Sequence, residues 1–420
     1  MDNNNQRIGF IYFSEPTYFI NRKIQTWLPA LHDLGANTVI FGSDFSKAIP
    51  EDVFNCARVN DLTPVVHFKA ELPLARKLND VAFLLDVYSR WGVSDVILGD
   101  KPNLKLAWPT SGWHYENLVD HFLDRFIPLA NHAVRIGLTP VMAPLQAGGD
   151  YWDTAFIELL LKGLMRRRLD AILDQLCLSC YGYTFNKPLS WGQGGPERWP
   201  GSKPYLTPNG QEDQLGFNNF EWLNRIGQKV TRKDYPVIIL DAGNSGMQYS
   251  RQDGDSSVHD IRAIYKELNG NEESRDLFAK DSIKYCAFSL ETILDRTIGV
   301  LSIENLNSVF KDENNVATGK NNYDENKKLI SHYLLLPSHT SGVADVVLNK
   351  VRPIIKKFQP TVGFSLEEAV LAKKVSVYPD EILFSDADLN QLRSSGCIVE
   401  LLPESGIEIA TRIQETSINR

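Results

Sequence analysis

The chain is poor in several residue types and patterns, and each absence excludes a class of protein. It has only five cysteines (Cys56, Cys177, Cys180, Cys286 and Cys397), scattered and odd in number. That excludes a disulfide framework and suits a reducing compartment. Cys177 and Cys180 form a C-x-x-C inside an apolar run from Leu176 to Tyr181. Side chains alternate along a strand, so the two thiols are expected on opposite faces, as core residues rather than a redox pair. No apolar run reaches the roughly 18 residues of a membrane helix. The opening residues, Met1 to Arg7, lack a charged region followed by an apolar one, which predicts a cytoplasmic protein. The eight histidines do not cluster and no His-Glu-x-x-His occurs, so no metal and no cofactor is expected. No Gly-x-Gly-x-x-Gly follows the first apolar run, and no phosphate-loop or Gly-x-Ser-x-Gly pattern is present. A basic surplus is missing too: the net charge of −8 argues against a nucleic-acid surface.

What is present is an ordinary globular composition, 43% hydrophobic and 23% charged. Apolar runs of strand length alternate with stretches of helical spacing. Strands are expected at 7–13, 36–41, 63–68, 96–98, 138–144, 175–181, 236–240 and 283–290. Helices are expected between them, at 21–34, 50–58, 72–90, 116–136, 154–174, 216–231 and 256–268, with another at 273–282. Strict alternation predicts a parallel sheet, and eight units is the count at which such a sheet closes into a (β/α)8 barrel. A doubly wound open sheet is the alternative. The barrel is placed at 1–303. A polar, Asn- and Lys-rich connection follows at 304–328, and a small α/β module at 329–420.

In a barrel of this kind the site lies at the C-terminal ends of the strands. The fourth strand ends Leu98-Gly-Asp-Lys-Pro-Asn103 and the seventh ends Leu240-Asp-Ala-Gly-Asn244, which puts Asp100 and Asp241 at corresponding places. Asp is also favoured in turns and helix caps, so a local role is the competing reading for both. Other acids expected at strand ends are Glu15, Asp44, Glu71, Asp150, Asp153 and Glu291. Glu291 either faces the mouth or pairs with an arginine such as Arg296. The stretch Gln146-Ala-Gly-Gly-Asp-Tyr-Trp-Asp153 sets Asp150, Tyr151 and Trp152 on a tight turn, with Asp153 as a helix cap. Trp113, Tyr183 and Trp191 lie in the loops after strands four and six. Acids together with aromatics suit carbohydrate, because sugar C–H faces stack on rings and hydroxyls pair with carboxylates.

This layout resembles the (β/α)8 glycoside hydrolases that carry an acid/base at the end of strand four and a nucleophile at the end of strand seven. The resemblance is architectural and covers about residues 7–291. Those enzymes end strand four in Asn-Glu-Pro and strand seven in Glu, a small residue and Gly. Here Gly99-Asp100 and Asp241-Ala242-Gly243 are matched to them. The resemblance implies a glycoside hydrolase acting on a polysaccharide or glycan, with Asp100 as general acid and Asp241 as base or nucleophile. Glu15, Trp113, Asp150, Tyr151, Trp152, Tyr183, Trp191 and Glu291 would hold the sugar. Aspartate is shorter than glutamate, and the wider gap favours inversion through a water. Two alternatives are a carbohydrate-binding barrel without catalysis and a phosphate- or nucleotide-sugar-using enzyme with Asp241 to Gly246 as the phosphate turn. By analogy with appended modules, the C-terminal unit is expected to bind a wall, glycan or protein partner. An external glycan would be reached by a route without a leader.

Overall fold

The computed structural model describes residues 7–14, 16–19, 21–45, 48–69, 72, 78–109, 116–246, 254–269, 278, 280–296, 303–310, 330–337, 345–358, 360–363, 366–370, 372–379 and 384–403. It divides into two compact units, Met1–Asp312 and Glu313–Arg420.

In the first unit the elements run β1 (Ile8–Ile11), α1 (Asn21–Asp33), β2 (Thr38–Ser43), α2 (Glu51–Val59), β3 (Thr63–Phe68), α3 (Leu78–Arg90), β4 (Asp95–Leu98) and α4 (Leu118–Arg135). Then come β5 (Thr139–Met142), α5 (Asp153–Arg166), α6 (Asp170–Gln175), β6 (Leu178–Tyr181), α7 (Gly195–Arg198), α8 (Asn219–Thr231) and β7 (Val237–Leu240). The unit ends with α9 (Gly254–Leu268), β8 (Ile283–Ser289), α10 (Leu290–Arg296) and α11 (Ile303–Phe310). All eight strands are parallel, in the order β5-β4-β3-β2-β1-β8-β7-β6. The two ends of that order meet through the parallel bridges Val141↔Cys177 and Leu145↔Cys180. The sheet therefore closes as the expected barrel, and the open doubly wound sheet is excluded.

Alternation along each strand separates two cores. Ile11, Ile40, Val65, Ile97, Val141, Cys177 and Ile238 fill the barrel interior. Their neighbours, Phe10, Phe41, Val66, Leu98, Cys180 and Phe288 among them, pack under the helices. Cys177 and Cys180 thus lie on opposite faces, as the alternation required. The floor of the barrel is closed by Asp95, buried at the start of β4, whose Oδ1 accepts from Lys284 Nζ at 2.6 Å. The helices cover the sheet with apolar stripes. α4 buries Phe122, Leu123, Phe126, Leu129 and Ala133 at helical spacing. It ends at Gly137, whose φ of +81° is what selects glycine there, since a Cβ would meet nothing within 4 Å.

Three expectations change. The helix foreseen over 154–174 is two helices, broken where Arg168 adopts φ +54°. The basic run Arg166 to Arg168 lies beside that break, with Arg166 and Arg168 exposed. Arg166 and Arg167 clamp Asp120 on α4 at 2.6 and 3.0 Å, and Arg167 also holds Asp124 at 2.6 Å. The connection expected from residue 304 begins with α11, which buries Leu306, Val309 and Phe310. Phe310 packs edge-on to Phe10 at 5.6 Å, so this helix completes the barrel's outer layer. Of the helix expected at 273–282, residues 278 and 280–282 are not helical, and the rest falls outside the described residues.

The second unit contains β9 (Ile330–Leu335), α12 (Asp345–Phe358), β10 (Thr361–Gly363), α13 (Leu366–Ala369), β11 (Ala372–Val377), α14 (Asp386–Ser394) and β12 (Ile398–Leu401). Its parallel sheet runs β10-β9-β11-β12. Tyr333, Leu335, Val375 and Val377 pack on one face, and Leu334, Leu336, Val351 and Ile354 on the other. A parallel sheet covered on both faces is the small α/β module expected here. The strand at Thr361–Gly363 escaped the sequence reading. α13 is a single turn, because β11 starts at Ala372.

Candidate active site

Past Leu98 the chain leaves β4 by a left-handed turn: Gly99 has φ +95° and Lys101 φ +44°. Asp241, directly after β7, also sits in the left-handed region, at φ +49°. Non-glycine residues rarely adopt this conformation, and it concentrates at functional sites. Between these ends stands β6. Its inward residues follow from Cys177, so Tyr181 points into the mouth.

Tyr181 gathers the site. Its hydroxyl donates to Asp100 Oδ1 at 2.6 Å, and its ring stacks on Tyr183 at 4.8 Å between centroids. Lys101 Nζ lies over the Tyr181 ring, 4.3 Å from its centroid, and donates to the Tyr183 hydroxyl at 3.2 Å. Asp241 Oδ2 accepts from Asn244 Nδ2 at 2.6 Å. Burial pushes both phenols well up, and the charges of Asp100 and Asp241 push them further. Burial lowers the Lys101 ammonium below the usual lysine range, against the pull of Asp100 and Asp241 and with the push of Lys69. The carboxylates from β4 and β7 therefore act on the same three side chains. Beneath them His67 is buried, and burial pulls its imidazole down to about 4. Its Nε2 meets the Gly99 carbonyl at 3.1 Å, so the neutral ring carries its proton there. On its other side Asp100 lines a narrow cleft with Trp108 and Arg125.

The remaining expected residues divide. Tyr183 joins the cluster. Glu291 caps the neighbouring strand end instead: its Oε1 accepts from Ser14 N at 2.7 Å and from Ser14 Oγ at 2.6 Å. Asp150 is exposed and accepts from Lys105 N at 2.8 Å, tying the loop after β5 to the loop after β4. Tyr151 packs edge-on to Phe156, and Trp152 pairs with Tyr205 at 4.7 Å. Trp191 is committed within its own loop: its indole donates to Asp213 at 2.8 Å and the Lys187 ammonium covers its face at 4.1 Å. Asp153, foreseen as a cap, is fully buried at the start of α5 and accepts from Gln214 at 2.8 Å and Gly148 N at 3.1 Å. Glu15, Glu71 and Trp113 lie outside the described residues.

The phosphate turn expected at Asp241 to Gly246 is occupied by its own fold. The N–H groups of Ala242 and Gly243 bond Ala287 O and Gly182 O, each at 3.0 Å, and Gly246 N bonds Asn244 Oδ1 at 3.1 Å. They are not turned outward as an anion nest. Among the described residues no group of three or more His, Cys, Asp or Glu could hold a metal ion, and no helix is long and apolar enough to cross a membrane. A larger groove of about 540 Å³ lies at the opposite end of the barrel, beside Glu221, Arg225 and Asp281, and holds none of the expected site residues.

The sequence reading passed over Lys101, Tyr181, His67 and Lys69.

The fold and mouth define a (β/α)8-barrel protein with acids, tyrosines and lysine at the C-terminal ends of its strands. No family model and no curated protein matches the chain. Among solved structures it is similar to a GH5 cellulase from an Icelandic hot spring isolate, at 15% identity and a TM-score of 0.39 over 68% of this chain and 75% of that one. It is also similar to a GH39 enzyme from Xanthomonas axonopodis pv. citri, at 13% identity and a TM-score of 0.39 over 69% and 59%. A third is a dihydropteroate synthase from Thermus thermophilus, at 14% identity and a TM-score of 0.31 over 69% and 90%.

Proposed function

We propose that the barrel mouth binds a glycan and hydrolyses it with Asp100 and Asp241 as the two carboxylates. One observation carries this reading: Asp100 at the end of β4 is bonded by Tyr181 of β6, and Asp241 directly follows Leu240, the β7 residue paired with Tyr181, so carboxylates from two separate strand ends flank the end of β6. Asp100 gives its proton to the glycosidic oxygen as the bond to the anomeric carbon breaks. A water attacks that carbon from the opposite face, and Asp241 takes the water's proton. Tyr181 fixes Asp100 through its hydroxyl, Asn244 fixes Asp241, and the stacked tyrosines offer a face to the sugar ring.

Asp100→Asn and Asp241→Asn are each expected to lower release of reducing ends from a cleaved polysaccharide by about 10²–10⁴-fold, the range for losing a general acid or base. Thermal unfolding of each variant checks that it still folds. Unchanged turnover in either variant removes that residue from the reaction. A second reading, glycan binding without catalysis, is favoured by Gly99-Asp100 standing where the resembled hydrolases carry Asn-Glu. It predicts ligand heat in titration calorimetry with no product after prolonged incubation.

A further inference from the structure

The hydrolysis proposed above leaves one side chain of the mouth without a task. Lys101 leaves the end of β4 in the left-handed region, at φ +44°, and its backbone N–H donates to Pro144 O at 2.9 Å, which ties it to the end of β5. Its side chain reaches to the end of β6. Nζ lies 4.3 Å from the centre of the Tyr181 ring and 5.3 Å from that of Tyr183, and donates to the Tyr183 hydroxyl at 3.2 Å. Lys101 is partly exposed, as is Asp100 beside it.

A lysine paired with a carboxylate stays protonated and has no lone pair to share. Lys101 is not held that way. Among the described residues its nitrogen makes no ion pair, Asp100 being bonded by Tyr181 and Asp241 by Asn244. The charged groups that act on it are Asp100 at the end of β4, Asp241 after β7 and Lys69 after β3. Burial outweighs the pull of the two acids and lowers the ammonium below the usual lysine range. An ordinary lysine, at about 10.4, is neutral in fewer than about one molecule in a thousand at neutral pH. A desolvated lysine without a direct counter-ion is the kind that attacks a carbonyl carbon. Burial also keeps the Tyr183 phenol protonated, so its hydroxyl can donate to the neutral amine as well as accept from the ammonium.

We propose that Lys101 is a nucleophile that forms an imine with a small hydroxylated aldehyde or ketone, such as an open-chain sugar. The nitrogen lone pair attacks the carbonyl carbon, and the carbonyl π pair moves to oxygen. Tyr183 passes its hydroxyl proton to that oxygen and takes one from nitrogen, which gives a carbinolamine. A second proton, from solvent, lets the oxygen leave as water, and the nitrogen lone pair closes the C=N bond of an iminium cation. Asp100 and Asp241, which act on the ammonium, stabilise that cation in the same way. The rings and carboxylates of the mouth suit a compound with C–H faces and hydroxyls. This activity goes beyond hydrolysis and does not depend on it.

The test incubates the full chain with dihydroxyacetone or glyceraldehyde and sodium cyanoborohydride at neutral pH. The reagent delivers hydride to the iminium carbon and fixes the adduct as a secondary amine, which peptide mass mapping then locates. Lys101 is expected to be modified at least tenfold faster than any other lysine, and only when both carbonyl and reductant are present. Lys101→Met should abolish the fast phase and leave slow labelling of the rest. At pH of about 10 the gap should narrow, because ordinary lysines then lose their protons as well. Labelling of Lys101 no faster than that of surface lysines, or a fast phase that survives in Lys101→Met, overturns the proposal. The map of the wild-type chain decides the matter even if the variant does not fold. Polysaccharide cleavage is assayed without reductant: cleavage without fast labelling removes the imine and leaves the glycan reading, and fast labelling without cleavage does the reverse.

Discussion

Asp153 gives the barrel a pH dependence of its own. It is buried at the start of α5, and burial pushes its carboxyl up to about 6, against hydrogen bonds from Gln214 and Gly148 N–H. The folded state thus binds this proton more tightly than the unfolded chain, whose aspartates titrate near about 3.9. The contribution to stability is present in full below about 4 and is lost as pH rises through about 6. Asp153→Asn keeps an oxygen for Gln214 and Gly148 N–H but cannot ionise. Its stability should fall less than wild type's between pH 4 and pH 7, by on the order of 2 kcal/mol, in denaturant titrations at the two pH values. An identical pH slope in both proteins would refute this. Residue types at strand ends were legible at this scale, which is how Asp100, Asp241 and Tyr183 came to notice. Lys101 was not. Beyond Leu98 the chain turns through two positive φ angles, so strand alternation no longer says where a side chain goes. Tyr181 was within reach: Cys177 faces inward, and so must every second residue after it.

The long segment between β6 and α8 behaves as an element in its own right. Asp213, almost wholly buried, accepts from Trp191 Nε1 at 2.8 Å, Lys187 Nζ at 3.1 Å, Thr207 Oγ1 at 2.7 Å and Leu215 N at 3.0 Å. Burial alone would raise its carboxyl; hydrogen bonds from Trp191, Thr207 and Lys187 outweigh that and hold it below the usual range. Asp213→Ala leaves several donors without an acceptor, at about 1–3 kcal/mol for each that stays buried. It should open residues 182–218 to limited proteolysis while far-ultraviolet dichroism stays near wild type. A loop as resistant as wild type's would show that Asp213 does not hold it. The sequence marked this segment by its glycines, prolines and tryptophans. It could not show that Trp191 turns inward, because nothing in residue type separates a ring that meets ligand from one that meets its own loop. Boundaries failed where a local break decided them, as at Arg168, or where distant packing did, as at Phe310.

Over the whole chain, the eightfold alternation of strand and helix was legible because each strand is apolar on both faces. Closure was not visible in any one strand; it followed from the count. The division into Met1–Asp312 and Glu313–Arg420 leaves each unit a core of its own. Two unfolding transitions are expected in calorimetry. Leu335→Ala, at a fully buried position in the second unit, should lower one of them by about 2–5 kcal/mol and leave the other in place. A shift of both together would mean the units unfold as one.

The ring of strands is not equally stiff around its circumference. Seven of its joints are ladders, that of β7 and β8 with a register shift between Val237 and Ile238, whereas β5 and β6 are joined by two separate bridges. Across that joint the backbone bonds are Met142 N to Cys177 O at 2.9 Å and Cys177 N to Pro140 O at 3.1 Å. Pro140 has no N–H with which to add another. The ring is tied by fewer backbone bonds here than at its other joints. Tyr181, which holds Asp100, is carried on one lip, and the turn leading to Asp153 on the other.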